Sequence, residues 1–212
     1  GSIPGTKLAP KSITSIQLAP SAVGSDHLAD GAVTPPKLSQ SYWSTSGNVT
    51  QGGTITFIGT LDGRPLDFRV SNKRALRLEP NQTSPNLVGG HEVNSTEAGV
   101  VGATISGGGA PGSPNQVNGH FAAVHGGAGN RAEADRSVVG GGRGNIAIGV
   151  ASVVSGGFSN RVEKSYGVIG GGYGNENSGY VATIGGGWDN TATGKVATVS
   201  GGQGNRSEGN AA

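Results

Sequence analysis

Asparagine recurs at Asn130, Asn145, Asn160, Asn175, Asn190 and Asn205, a spacing of 15 residues without a slip. Six positions ahead of each stands Val124, Val139, Val154, Ile169, Ile184 or Val199. A strict period of this kind marks a repeat architecture, in which one unit cannot bury its apolar face alone and stacked neighbours build a continuous core. A strand rises about 3.3 Å per residue, so one repeat makes a circuit of at most roughly 50 Å. The pattern therefore predicts a narrow β-solenoid whose interior holds few rows of side chains.

Two inward rows are visible. The first is the Val/Ile row. Two residues before it lie Ser137, Ser152, Gly167, Ala182 and Ala197, all small. Alternation along a strand puts both rows on one face. The opposite face carries Val138, Val153, Val168, Thr183 and Thr198, beside Ala151, Tyr166, Val181 and Val196, with Arg136 as the exception. A strand apolar on both faces is normally buried on both. A coil interior covers only one, so a sister chain is expected to cover the other.

Most of the 42 glycines lie beyond Val88, and the last leucine is Leu87. Beyond it the aliphatic residues are Val and Ile, which favour pleated surface. Gly-Gly pairs follow the Val/Ile row, and they and the asparagines read as corners, since both residue types reach positive φ more readily than others. Stacked asparagines are also expected to hydrogen-bond from coil to coil. Looser coils precede the strict ones: Val88-Gly89-Gly90 with Asn94, and a coil opened by Ile105 with an insertion around Pro111–Pro114.

The first 40 residues follow a different period. Leu8, Leu18, Leu28 and Leu38 lie ten apart, with Ile3, Ile13, Val23 and Val33 five residues ahead of them. Pro4, Pro10, Pro20, Pro35 and Pro36 forbid a continuous helix. Residues 1–40 are thus expected to form an extended fibrous stalk, 41–83 a β-meander connector, and 84–212 the solenoid. In the meander the predicted strands are Thr54–Thr60, Pro65–Val70 and Ala75–Leu78, with a type I′ turn at Asp62-Gly63 and a second turn at Ser71–Arg74. Tyr42 and Trp43 read as core or interface anchors.

Decads such as "DGAVTPPKLS" (30–39) resemble those of bacteriophage and phage-like tail fibres. The stretch "FIGTLDGRPLDFRVSNKRALRLEP" resembles a connector that precedes glycine-rich heads in large bacterial surface and tail-fibre-like proteins. The coil length, the small-residue alternation in "NIAIGVAS" and "NTATGKVATV" and the glycine corners resemble the head domains of trimeric autotransporter adhesins. That resemblance implies an all-β, trimeric parallel β-roll. The heavy Gly-Gly-Gly usage and strict Asn depart from the usual head motif.

Nothing in the chain reads as a chemical centre. "GGGRGN" lacks the Gly-Lys-Ser/Thr of a phosphate loop, and no helical periodicity follows it. His27, His91, His120 and His125 share no ligand spacing, and cysteine is absent. No metal, cofactor or catalytic residue is assigned. Glu133, Glu163 and Glu208 share one coil position, with Arg131, Arg161 and Arg206 two residues before them, which reads as surface ion pairing. The formal charge is only +2, and the basic excess lies in one cluster, Arg64, Arg69, Lys73, Arg74 and Arg77, so no nucleic-acid partner is expected. No apolar run approaches the roughly 20 residues that span a bilayer, so no membrane insertion is expected of these residues.

One exposed stripe is a candidate ligand site: Arg143, Phe158, Tyr173, Trp188 and Gln203, each two residues before an Asn. It stacks either on itself as a structural ladder or against a glycan. The expected role is that of an extracellular fibre, on a cell surface or a phage or injection-system tail. As a homotrimer it would bind a surface receptor or glycan as adhesin or tail fibre. The alternatives are a purely structural shaft and a glycan-depolymerising tailspike.

Overall fold

The computed structural model describes residues 62–209, with 58–60 and, nearer the N-terminus, 9, 12–14, 16–34 and 37. Residues 1–58 and 59–212 are two compact units. Tyr42, Trp43 and residues 54–57 lie outside the described residues.

In the first unit the ten-residue period is visible in the backbone. Gln17, His27 and Lys37 N–H groups donate to the carbonyls of Thr14, Gly24 and Thr34, closing one turn per decad. Ser12, Ala22 and Ala32 close a second turn on Ala9, Ala19 and Ala29. Leu18, Val23, Leu28 and Val33 remain exposed, so the described residues of these decads build no core of their own.

The second unit is a parallel β-solenoid of about eight turns with coils of about 15 residues. It begins with a hairpin, β1 (Leu66–Val70) and β2 (Lys73–Glu79), and β2 pairs antiparallel with β3 (Asn86–Gly89). From β3 onward a ten-stranded sheet grows in parallel, one dipeptide strand per coil, through Val138–Val139 to Thr198–Val199. An eight-stranded sheet starts at β4 (Ser95–Thr96) and grows alongside it to Arg206–Ser207. Register is a shift of 15 at every strict coil, as in Val139 to Val154 to Ile169. A third side is a line of single parallel bridges from Ala128 through Arg143, Phe158, Tyr173 and Trp188 to Gln203.

The hairpin differs from the expected meander. Residues 58–60 are not in a strand. Asp62 has no positive φ, whereas a type I′ turn needs two. The turn expected at 71–74 is present, and it is this one that is tight and primed: Ser71-Asn72, with φ 48° and 59°, joins β1 to β2. Asn tolerates the left-handed region, which the Asp-Gly motif upstream had suggested for itself. No break in the sheet separates connector from solenoid, because β2 and β3 are neighbours.

This hairpin caps the stack. Within the coils, each carbonyl of the eight-stranded side accepts an N–H from the coil before it, as Asn130 O does from Gln116 N. The first coil has no predecessor. There Arg74 Nη2 donates to Asn94 O and Glu92 O, both at 2.7 Å. β2 covers the other edge. Unpaired edges are templates for unwanted pairing, and solenoids protect them with caps.

Inside, the Val/Ile row and the small row are buried in one chain without help. A further inward row, Val117, Ala132, Ala147, Val162, Asn177 and Ala192, comes from the second sheet. Sequence pattern had offered two rows; the three-sided coil encloses more because its second strand also turns alternate residues inward. Volumes are matched across the interior. A Cβ on Gly167 would lie 2.6 Å from Val162 Cγ1. Gly167→Ala is therefore expected to cost about 1–3 kcal/mol by overpacking. Val162→Ala in the same chain should recover most of that loss, read as a double-mutant cycle in chemical denaturation.

The hairpin carries one strong ion pair. Arg77 grips Asp67 through two bonds, 2.7 Å from Nε and 3.0 Å from Nη2. The hydrogen bond from Arg77, above all, holds the Asp67 carboxyl down to about 2 against an ordinary 3.8. A depressed carboxylate stabilises the fold fully above the ordinary value, and the gain is lost as pH falls through the folded one. Acidification from about pH 4 to about pH 2 should therefore lower the melting temperature of the native chain more than that of Asp67→Asn.

Candidate functional site

The asparagines do not make the corners. None of the ladder asparagines has positive φ; the left-handed residue is the one before, at Gly129, Gly144, Ser159, Gly174, Asp189 and Gly204. That turn rotates the Asn side chain inward, where Asn130 through Asn190 are buried. Each side chain then binds in three directions. Asn160 Nδ2 donates to Gly156 O within its own coil and to Gly172 O in the next, both at 2.9 Å. Its Oδ1 accepts the backbone N–H of Asn175 at 3.0 Å. The same chain of bonds runs upstream through Asn130 and Asn115 to Asn94. Asn115 keeps the 15-residue spacing to Asn130, and the insertion at Ala110–Ser113, which closes its own small turn, lengthens only the step back to Asn94, 21 residues upstream.

Beside this ladder runs a ladder of glycine. A Cβ on Gly127, Gly142, Gly157, Gly172 or Gly187 would lie 1.9–2.1 Å from the carbonyl oxygen of the equivalent glycine in the next coil. Only glycine permits that approach.

The stripe proposed from sequence lies on the outer side of the same corner. The Phe158 and Tyr173 rings stack with centroids 5.3 Å apart and planes 3° apart. Tyr173 and Trp188 meet at 5.6 Å and 70°. The Arg143 guanidinium carbon lies 6.0 Å from the Phe158 centroid. Phe158, Tyr173 and Trp188 are 41%, 48% and 52% exposed, so the contacts leave much of each ring open. A shallow cavity of about 550 Å³ is lined by Gly172, Tyr173, Gly187 and Trp188. Gln203 ends the row, joined to Trp188 by a backbone bridge.

The other candidate groups do not converge. Arg131 and Arg161 hold Glu133 and Glu163 at 2.8 and 2.9 Å, and Arg206 holds Glu208. His27, His91 and His120 accept backbone N–H groups of Gly24, Val93 and Val101 on Nδ1. Among the described residues no three His, Asp or Glu side chains gather as a metal site.

One feature was missed in the sequence. At the corner before the ten-stranded sheet, Phe121, Arg136, Ala151, Tyr166, Val181 and Val196 all have positive φ, between 54° and 63°. Positive φ elsewhere in the coil falls mostly on glycine, and for a β-branched residue it is a marked outlier. Phe121, Tyr166, Val181 and Val196 are also exposed. The signal was present as an apolar row without glycine, but nothing in residue spacing reveals a dihedral angle.

Comparison with protein-family models, with curated proteins and with solved structures yields no match.

The asparagine ladder sets a clear expectation. Asn160→Ala strands the Asn175 N–H and takes one donor from each of two carbonyls. Each buried group left unmet costs about 1–3 kcal/mol. The variant should lose at least about 2 kcal/mol in urea denaturation.

Proposed function

We propose that this chain is a non-catalytic module of an extracellular or virion-borne fibre, assembled as a homotrimer and serving attachment to a cell surface. The observation that carries the reading is the strained apolar corner. Six successive coils hold a side chain where glycine would be relaxed. A left-handed conformation costs roughly 1–2 kcal/mol for such a residue. Each of these residues donates its backbone N–H to the preceding coil, but within one chain the side chains return little by packing, because Phe121, Tyr166, Val181 and Val196 lie 40–52% exposed.

The corner is continuous with the outward row Val138, Val153 and Val168, itself half-buried. Together they form an apolar face that repeats once per coil. A second copy of the chain supplies a surface with the same repeat. The exposed Leu18, Val23, Leu28 and Val33 of the decads call for the same kind of partner. Trimeric assembly is what the resemblance to adhesin heads implies, and the decads fit a fibre stalk.

Multi-angle light scattering tests this. The native chain should have three times its single-chain mass. Val181→Gly with Val196→Gly should relax the backbone, hold or raise the stability of the single chain, and reduce the assembled mass. A native chain of single mass would refute the reading.

A further inference from the structure

We infer that the aromatic stripe and the glycine strip beside it form a groove for an extended, neutral, β-linked glycan. This rests on the attachment role proposed above and names the ligand class.

The aromatic rings are not needed by the fold. Their row is held by backbone bonds, such as Arg143 N to Gly157 O and Ser159 N to Arg143 O. Ala128, Arg143 and Gln203 occupy the same row in other coils without loss of the bridges. Yet three successive coils place Phe158, Tyr173 and Trp188 there, each 41–52% exposed. Half-exposed rings in successive coils are a binding surface in form.

The strip next to them is barer than the fold requires. Gly157, Gly172 and Gly187 are dictated by the close approach of the next coil. Gly126 and Gly156 are not: a Cβ there meets nothing within 4 Å, and neither has positive φ. A side chain would fit, and glycine stands in both. The result is a floor of naked backbone. The N–H groups of Gly171, Gly172, Gly186 and Gly187 make no hydrogen bond with any described residue. Gly172 and Gly187 are exposed and line the cavity with Tyr173 and Trp188. Each coil thus offers unused donors next to a ring face.

The ligand follows from the repeat and the charge. Ring centroids separated by 5.3 and 5.6 Å present one half-exposed ring per coil. A sugar in an extended β-1,4-linked chain advances by a similar distance, so successive pyranoses meet successive rings. Their apolar faces pack on the exposed parts of the rings and their hydroxyls accept from the backbone donors. The Asp189 carboxylate, close to Gly174, supplies an acceptor for a hydroxyl. An anionic polymer is disfavoured. Arg143 is the one cation of the stripe, and Arg161 and Arg206 on the neighbouring sheet are held by Glu163 and Glu208.

The groove and the strained corner lie at opposite ends of the same strand, so assembly and binding are separately testable. The test titrates the intact chain, with Trp43→Phe leaving Trp188 as its one indole, against cellohexaose and chitohexaose. Tryptophan fluorescence is the readout. Saturable change with at least one hexaose is expected. Tyr173→Ala and Gly156→Leu should each weaken it by at least about tenfold. Circular dichroism and scattering mass should not move, since Gly156 faces open space and the Tyr173 row is held by backbone bonds. No saturable change up to about 10 mM overturns the inference. So does unchanged affinity in both variants, or binding of a polyproline peptide in place of the sugars. Failure here with a trimeric mass refutes the groove alone; sugar binding by a chain of single mass refutes the assembly alone.

Discussion

The solenoid depends on one repeated contact, the inward asparagine that joins three backbone segments. Without it the carbonyls of two adjacent glycine corners would sit part-buried with one donor fewer, and the next asparagine's N–H would have none. A glycine-rich chain loses more conformational freedom on folding than most. The apolar interior of so thin a coil is small, built from Val, Ile and Ala. Polar satisfaction therefore does what a large core does elsewhere: it fixes register, because an asparagine shifted by one residue would point outward and meet nothing. The glycine ladder is its complement. Close approach of successive glycine corners brings the carbonyls to 2.8–2.9 Å from the asparagine Nδ2 atoms, as at Asn145 and Asn130, and a Cβ would hold them apart.

A stack built this way has two problems, its ends and its outer face. Arg74 and β2 answer the first at the N-terminal end, by supplying the donors that a preceding coil would have supplied. The Asp67–Arg77 pair ties β1 to β2 and so steadies the cap. The outer face is a different matter. The coil hides its inner valines alone, so oligomerisation is not a condition for a dry interior. What the single chain leaves uncovered is the outward valine row and the strained corner, and the case for sister chains rests there.

Much of this was legible in the sequence because the period is strict. Asn130 to Asn205, the Val/Ile row and the small row fix coil length, strand position and inward face by arithmetic alone. Three things were not. Asn115 stands in phase, 15 residues before Asn130, but the insertion places Ile105 ten positions ahead of it and not six, so the paired signal was lost. The primed turn was placed at Asp62-Gly63 because that dipeptide carries the stronger local signal, whereas the left-handed pair is Ser71-Asn72, inside the turn expected at 71–74. The left-handed valines were invisible because residue type argues against that conformation. The stripe from Arg143 to Gln203 was readable as a row; that its rings stand open above unsatisfied backbone donors was not.

Amide hydrogen exchange followed residue by residue tests the central claim most directly. The backbone N–H groups of Asn145, Asn160, Asn175 and Asn190 each donate to the side chain of the asparagine before them. They should be among the slowest amides in the chain and should open together, as one cooperative unit. The N–H groups of Gly171, Gly172, Gly186 and Gly187 should exchange fast. Asparagine amides that exchange as quickly as those glycines would contradict the account.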